Sequence, residues 1–225
     1  MKKNFYGFEI VCEIPAELTQ DDLKNLIEVP EKDVLGVWAL FGKEKDDDYY
    51  GQYWRCLQVG ETKKVHSEIC QDIKKIYREI DIYRTKKYVN YFGDELFEYD
   101  EICDGNEYAY IWLREWYENF VFVLIAEEED VRKRKKIEKC VATITESVCW
   151  RNGRSRVDNS GKVTEIVQKK ISNCNFEKNN ENKNIYDKIL KFRKENIQAI
   201  LHPMACMRKK YNSVNEYIRE CEKKF

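Results

Sequence analysis

The sequence is poor in histidine and glycine and has no long apolar run. Its 225 residues include two histidines, His66 and His202, and nine glycines. Two histidines are too few for a His-rich zinc site or for the His-x-Glu and Cys-x-x-Cys pattern of a zinc deaminase, so any metal would be held by carboxylates. The nine cysteines are odd in number and no two stand at Cys-x-x-Cys spacing. Neither a disulfide framework nor a zinc knuckle is therefore written here, and reduced, mostly buried thiols are expected. Gly-x-Gly-x-x-Gly and Gly-x-x-x-x-Gly-Lys-Ser/Thr are both missing, which disfavours the phosphate-cradling loops of nucleotide-cofactor enzymes. No window approaches the ~18 apolar residues of a membrane span, and the N-terminus turns acidic before the apolar stretch of a signal peptide develops. The expected location is the cytoplasm. There is no internal repeat.

What is present is a globular composition, 43% hydrophobic, 13% aromatic and 36% charged, enough for one generous domain with a small appendage. The 40 basic and 41 acidic residues nearly cancel, which excludes indiscriminate coating of nucleic acid by net charge. Locally they do not cancel. Residues 91 to 130 hold thirteen acidic residues against one basic, and residues 131 to 156 hold nine basic against two acidic. Such runs are commonly solvated faces that neutralise each other, but a basic helix and turn also supply the positive potential a phosphodiester needs.

Along the chain, residues 5 to 14 read as a strand, and Thr19 as the cap of a helix running to about Glu28 before Pro30. Residues 34 to 42 and 53 to 60 are apolar runs of strand length joined by a polar loop, hence a hairpin. Val65, Ile69, Ile73 and Ile76 or Tyr77 form one stripe of a helix expected to end near Thr85. Residues 91 to 110 fit a loop or edge insertion. Residues 120 to 126 are the best central strand. A charged helix is expected from Glu127, buried through Ile137, Val141, Ile144 and Val148 and closed by the basic turn Trp150 to Arg156. Residues 185 to 201 and 213 to 223 read as two amphipathic helices. The expected fold is α/β: a small mixed or antiparallel sheet of about three to five strands flanked by helices, with a helical C-terminal extension. Its divisions fall at 1–32, a core over 33–172, a linker over 173–184 and the extension over 185–225.

Gly36-Val37-Trp38 opens one hairpin strand and Gln58-Val59-Gly60-Glu61-Thr62 closes the next. Together they resemble a diverged GIY-YIG nuclease motif over roughly residues 33 to 156. That family places an Arg, sometimes with a His, on the first helix, a Glu on a later helix and an Asn about a dozen residues on. The matching positions here are Arg78 with His66, Glu138, and Asn152 fourteen positions after it. The resemblance implies a DNA endonuclease in which Glu138 holds a divalent ion, Mg or Mn, the Arg stabilises the transition state, and Lys63, Lys64, Arg134, Arg151, Arg154 and Arg156 contact nucleic acid. Trp38 and Gln58 depart from the motif tyrosines. An indole carries only a donor N–H and cannot act as a base, which leaves His66, or a desolvated Lys63 or Lys64, for that role. Each position has a plainer reading: Trp38 as a core aromatic, Glu138 as a helix-surface partner of Lys135 or Arg134, and Gly36 and Gly60 as turn or bulge glycines. The alternative function is a catalytically inactive nucleic-acid-binding module of the same fold, or a protein-interaction module using the acidic, aromatic segment Asp94 to Tyr110.

Overall fold

The computed structural model describes residues 3–16, 22, 26, 33–45, 50–77, 113–114, 116–148 and 180–201, together with the backbone of 85–89 and 95–100. The fold is α/β, and its centre is a five-stranded antiparallel sheet. Strands β1 (Asn4–Phe5), β2 (Phe8–Ile14), β3 (Gly36–Glu44) and β4 (Trp54–Thr62) are joined by β7 (Tyr117–Glu127) in the order β1-β2-β7-β3-β4. β7 is the middle strand, as its apolar run predicts. β3 is buried at every position except Lys43, as expected of an inner strand covered on both faces.

The single N-terminal strand expected over residues 5 to 14 is instead two strands. Tyr6 (φ 53°) and Gly7 (φ 84°) both take positive φ between the paired Phe5 and Phe8, the requirement of a two-residue turn matched to strand twist. Tyr6 is unusual there. Its ring packs edge-on against Phe5 and Phe192, and its hydroxyl accepts from Asn196, so tertiary contacts hold the conformation that sequence would assign to Asn or Gly.

Alternation along the strands divides the core. Val37, Ala39, Phe41, Cys56, Val59, Val121, Val123 and Ile125 face α2 (Val131–Thr145) and α3 (Asn180–Glu195), meeting Ile137, Val141, Ile144, Ile189 and Phe192. Trp38 and Phe122 point the other way and pack on each other. Over that side lies α1 (Val65–Ile76), with Val65, Ile69, Ile73 and Ile76 buried and Tyr77 edge-on to Phe120. Cys56, Cys70 and Cys140 are buried and Cys12 half-buried, all thiols.

Several boundaries differ from expectation. α1 stops at Ile76, where its apolar stripe ends, and Thr85 opens a strand: β5 (Thr85–Val89) pairs with β6 (Glu95–Asp100) as a separate two-stranded ribbon. Part of the segment read as a loop or edge insertion is thus β6, outside the main sheet; its Phe97 and Tyr99 favour extended backbone. α2 begins at Val131, because β7 continues through Glu127 and Asp130 caps the helix, accepting from the amides of Arg132 (2.7 Å) and Lys133 (3.2 Å). It ends at Thr145, where Glu146 turns left-handed (φ 50°). Val148 is therefore beyond the helix, and its amide donates to the Cys56 carbonyl. α3 begins inside the stretch read as a linker, and Asn196 separates it from α4 (Ile197–Leu201). Residues 213–223 and the Thr19–Glu28 helix, apart from Asp22 and Leu26, lie outside the described residues. Among the described residues no helix is long and apolar enough to cross a membrane.

Candidate functional site

The two halves of the motif are paired in register. Gly36 stands opposite Thr62, Trp38 opposite Gly60 and Leu40 opposite Gln58. Both glycines have steric reasons to be glycine. A Cβ at Gly36 would stand 2.4 Å from the Ala126 carbonyl oxygen, and one at Gly60 would stand 2.7 Å from the Trp38 indole. Trp38, at 0% exposure, lies across Gly60 as a large ring across a cross-strand glycine. Its indole N–H is buried without a well-formed hydrogen bond and lies toward the Glu68 carboxylate, whose charge it favours. Burial raises the Glu68 pKa, the Thr62 hydroxyl opposes that and Asp72 reinforces it. Gln58 is half-buried on the same face as Trp38.

At the start of α1, Lys63 and Lys64 are exposed and His66 is half-buried. Lys64 is the cap residue but makes no side-chain cap bond. That work falls to Asp33, from a distant part of the chain: its carboxylate accepts from the amides of His66 (2.8 Å), Ser67 (3.0 Å) and Val34 (3.0 Å), and His66 Nδ1 lies 3.3 Å away. Burial pushes the Asp33 carboxyl up, but the bonds from Ser67, His66 and Val34 outweigh it and hold the pKa down at about 2. The amides that a helix N-terminus offers to an anion are already engaged by this carboxylate.

Glu138 and Arg134 belong to α2, on the opposite side of the sheet from Trp38 and Gln58. Glu138 is 5% exposed. Among the described residues, no three His, Cys, Asp or Glu side chains gather as a metal's donor set, and Glu138 is the one carboxylate that the resemblance assigns to a divalent ion. Arg134, at 1% exposure, is turned inward: Nε donates to Glu61 (2.9 Å) and Nη1 to the carbonyls of Glu128 (3.0 Å) and Glu129 (2.8 Å). It pins the β7–α2 loop to the end of β4, and a phosphate would have to displace all three bonds to reach it. Arg78, Arg151, Asn152, Arg154 and Arg156 lie outside the described residues.

The structure thus brings Gly36, Trp38, Gly60, Thr62, His66 and Glu68 to one end of the hairpin and puts Glu138 on the other face. Sequence reasoning missed Asp33, whose contacts are 33 residues away, and Glu68, whose significance depends on Trp38. The basic helix weighed in the sequence is α2, and the structure separates its cations: Arg134 is buried, whereas Arg132, Lys135, Lys136 and Lys139 are exposed and form no side-chain ion pair with the described residues. The class defined is an α/β protein with an antiparallel sheet covered by helices on both faces and one helix with a basic outer surface. Compared with known proteins, the chain matches no family model, no curated protein and no solved structure.

Proposed function

We propose that this chain is a nucleic-acid-binding module whose GIY-YIG-like hairpin serves the fold and whose contacts are electrostatic. The observation that carries the reading is the outer surface of α2, where Arg132, Lys135, Lys136 and Lys139 are all exposed and available to phosphate oxygens. The burial of Trp38 agrees with it, because a side chain filling the space over Gly60 is packing rather than meeting a substrate. Electrophoretic retardation of DNA and RNA by the full chain at low salt tests the reading. Binding that weakens as salt rises is expected; no retardation, with a protein partner co-purifying instead, overturns it in favour of an interaction module.

The second reading is a DNA endonuclease using Mg or Mn, and the in-register pairing of Gly36–Trp38 with Gly60–Thr62 favours it. Its test is nicking of supercoiled plasmid with Mg or Mn. Nicking abolished by Glu138→Ala supports it; no nicking, or equal nicking by that variant, overturns it.

A further inference from the structure

Resting on the nucleic-acid reading above, the geometry points to duplex nucleic acid, gripped through its phosphates without base reading, as the ligand of the outer face of α2. The exposed residues of this helix are Val131, Arg132, Lys133, Lys135, Lys136 and Lys139. Lys133 turns back to Glu128 at 3.6 Å. The remaining four cations recur at steps of three and four residues and so share one side of the helix, over about 10 Å at 1.5 Å per residue. A duplex, with one charge per ~1.7 Å of axis, is the densest nucleic-acid complement to such a row.

Two absences on this face, both read from described residues, distinguish the duplex from other nucleic acid. It has no aromatic side chain, and single strands are held largely by stacking bases on aromatic rings. It has no Asn or Gln to read adenine and Arg132 is its one forked donor, so what the face chiefly offers is lysine point charges suited to phosphates. The face is also rigid. Asp130 caps the helix, and Arg134 ties its first turn to Glu61 and to the Glu128 and Glu129 carbonyls. The braced backbone holds this row of cations in one register against a stiff, regular lattice of phosphates, and only the exposed side chains themselves are ordered on binding. The acidic groups at the start of the helix, Glu128, Glu129 and Asp130, place the contact toward Lys135, Lys136 and Lys139.

The test is fluorescence anisotropy of the full chain with three probes of one mixed sequence: a DNA duplex, the corresponding RNA duplex and the DNA single strand. Tighter binding of either duplex than of the single strand is expected, with affinity falling about 100-fold as salt rises from about 50 to 200 mM, as for about four phosphates. A scrambled duplex binds equally well. Replacing Arg132, Lys135, Lys136 and Lys139 together by Gln lowers duplex affinity at least about tenfold and flattens the salt dependence. The charge-reversed pair Lys136→Glu, Lys139→Glu provides a second variant should the first fold poorly. Single-strand binding as tight as duplex binding, or duplex binding unchanged in folded variants, overturns this inference and leaves the nucleic-acid reading standing. No binding of any probe overturns both.

Discussion

Arg134 illustrates how one position in a charge run differs from its neighbours. In the run Arg132 to Lys136 it is the residue three before Ile137 and seven before Val141, so helical periodicity turns it toward the core while the others face out. Its guanidinium then meets Glu61 and two carbonyls in a water-poor setting. Removing one partner of such a pair leaves the other charge buried, so Arg134→Met is expected to destabilise the chain by about 3 kcal/mol. Pairing it with Glu61→Gln should restore part of that loss; chemical denaturation of the two variants measures both, and an Arg134→Met effect under about 1 kcal/mol contradicts the arrangement. Asp33 has a pH signature. Its folded pKa is about 2, below the ordinary aspartate value of 3.8, so the unfolded chain takes up the proton first. Its contribution is fully present above about pH 4 and is lost as pH falls toward about 2, amounting to about 2 kcal/mol. Asp33→Asn should lower stability at neutral pH and flatten that acid limb, measured as melting temperature against pH; an unchanged acid limb would place the titration elsewhere.

At the scale of elements, the motif hairpin shows what a strand pattern does and does not convey. The apolar runs over 34 to 42 and 53 to 60 were legible as paired strands because burial on both faces and a polar connection leave few alternatives. Pairing Trp38 with Gly60 makes the two residues one packing unit. Gly60→Ala puts a methyl group 2.7 Å from a buried ring whose space is already filled, and overpacking of this kind costs about 1–3 kcal/mol. Trp38→Phe in the same chain should recover stability by opening room, so the two substitutions are less than additive in urea unfolding. Additive losses would show that the ring and the glycine do not share the strain. The candidate site was less legible. The order His66, Glu138 along the chain carries no information about which side of a sheet each helix covers, and that depends on the path from β7 into α2. Helix ends were misplaced for a related reason: Asp130 and Glu146 fix α2 by cap geometry, whereas composition alone extends the helix in both directions.

At the scale of the whole molecule, α3 is part of the core. Ile189 and Phe192 pack with Phe41 and Val59, and Arg193 donates to the Ile144 carbonyl (2.6 Å) and to Glu146 (2.7 Å), gripping the end of α2. Asn196 is the centre of this closure. Its Oδ1 accepts from the Trp54 amide (2.8 Å), its Nδ2 donates to the Tyr6 hydroxyl (2.9 Å) and to the Phe192 carbonyl (2.9 Å), and the side chain thereby joins the β1–β2 turn, β4 and α3. None of this was legible in sequence, because the partners stand 142 and 190 positions away and an Asn at a helix end normally signals only a local stop. Asn196→Ala leaves the Trp54 amide without its acceptor in a part-buried setting, a loss of about 1–3 kcal/mol. Because Tyr6 depends on the same side chain for its positive φ, the loss should spread to the β1–β2 turn, seen as faster amide exchange at Phe5 and Phe8 as well as at Trp54. Asn196→Asp keeps the acceptor for Trp54, and its carboxylate accepts from the Tyr6 hydroxyl in place of the bond that Asn196 donated, so it should slow exchange at Trp54, Phe5 and Phe8 relative to Asn196→Ala. Exchange changed at α3 alone in both variants would mean that the helix docks on the sheet without holding its two ends together.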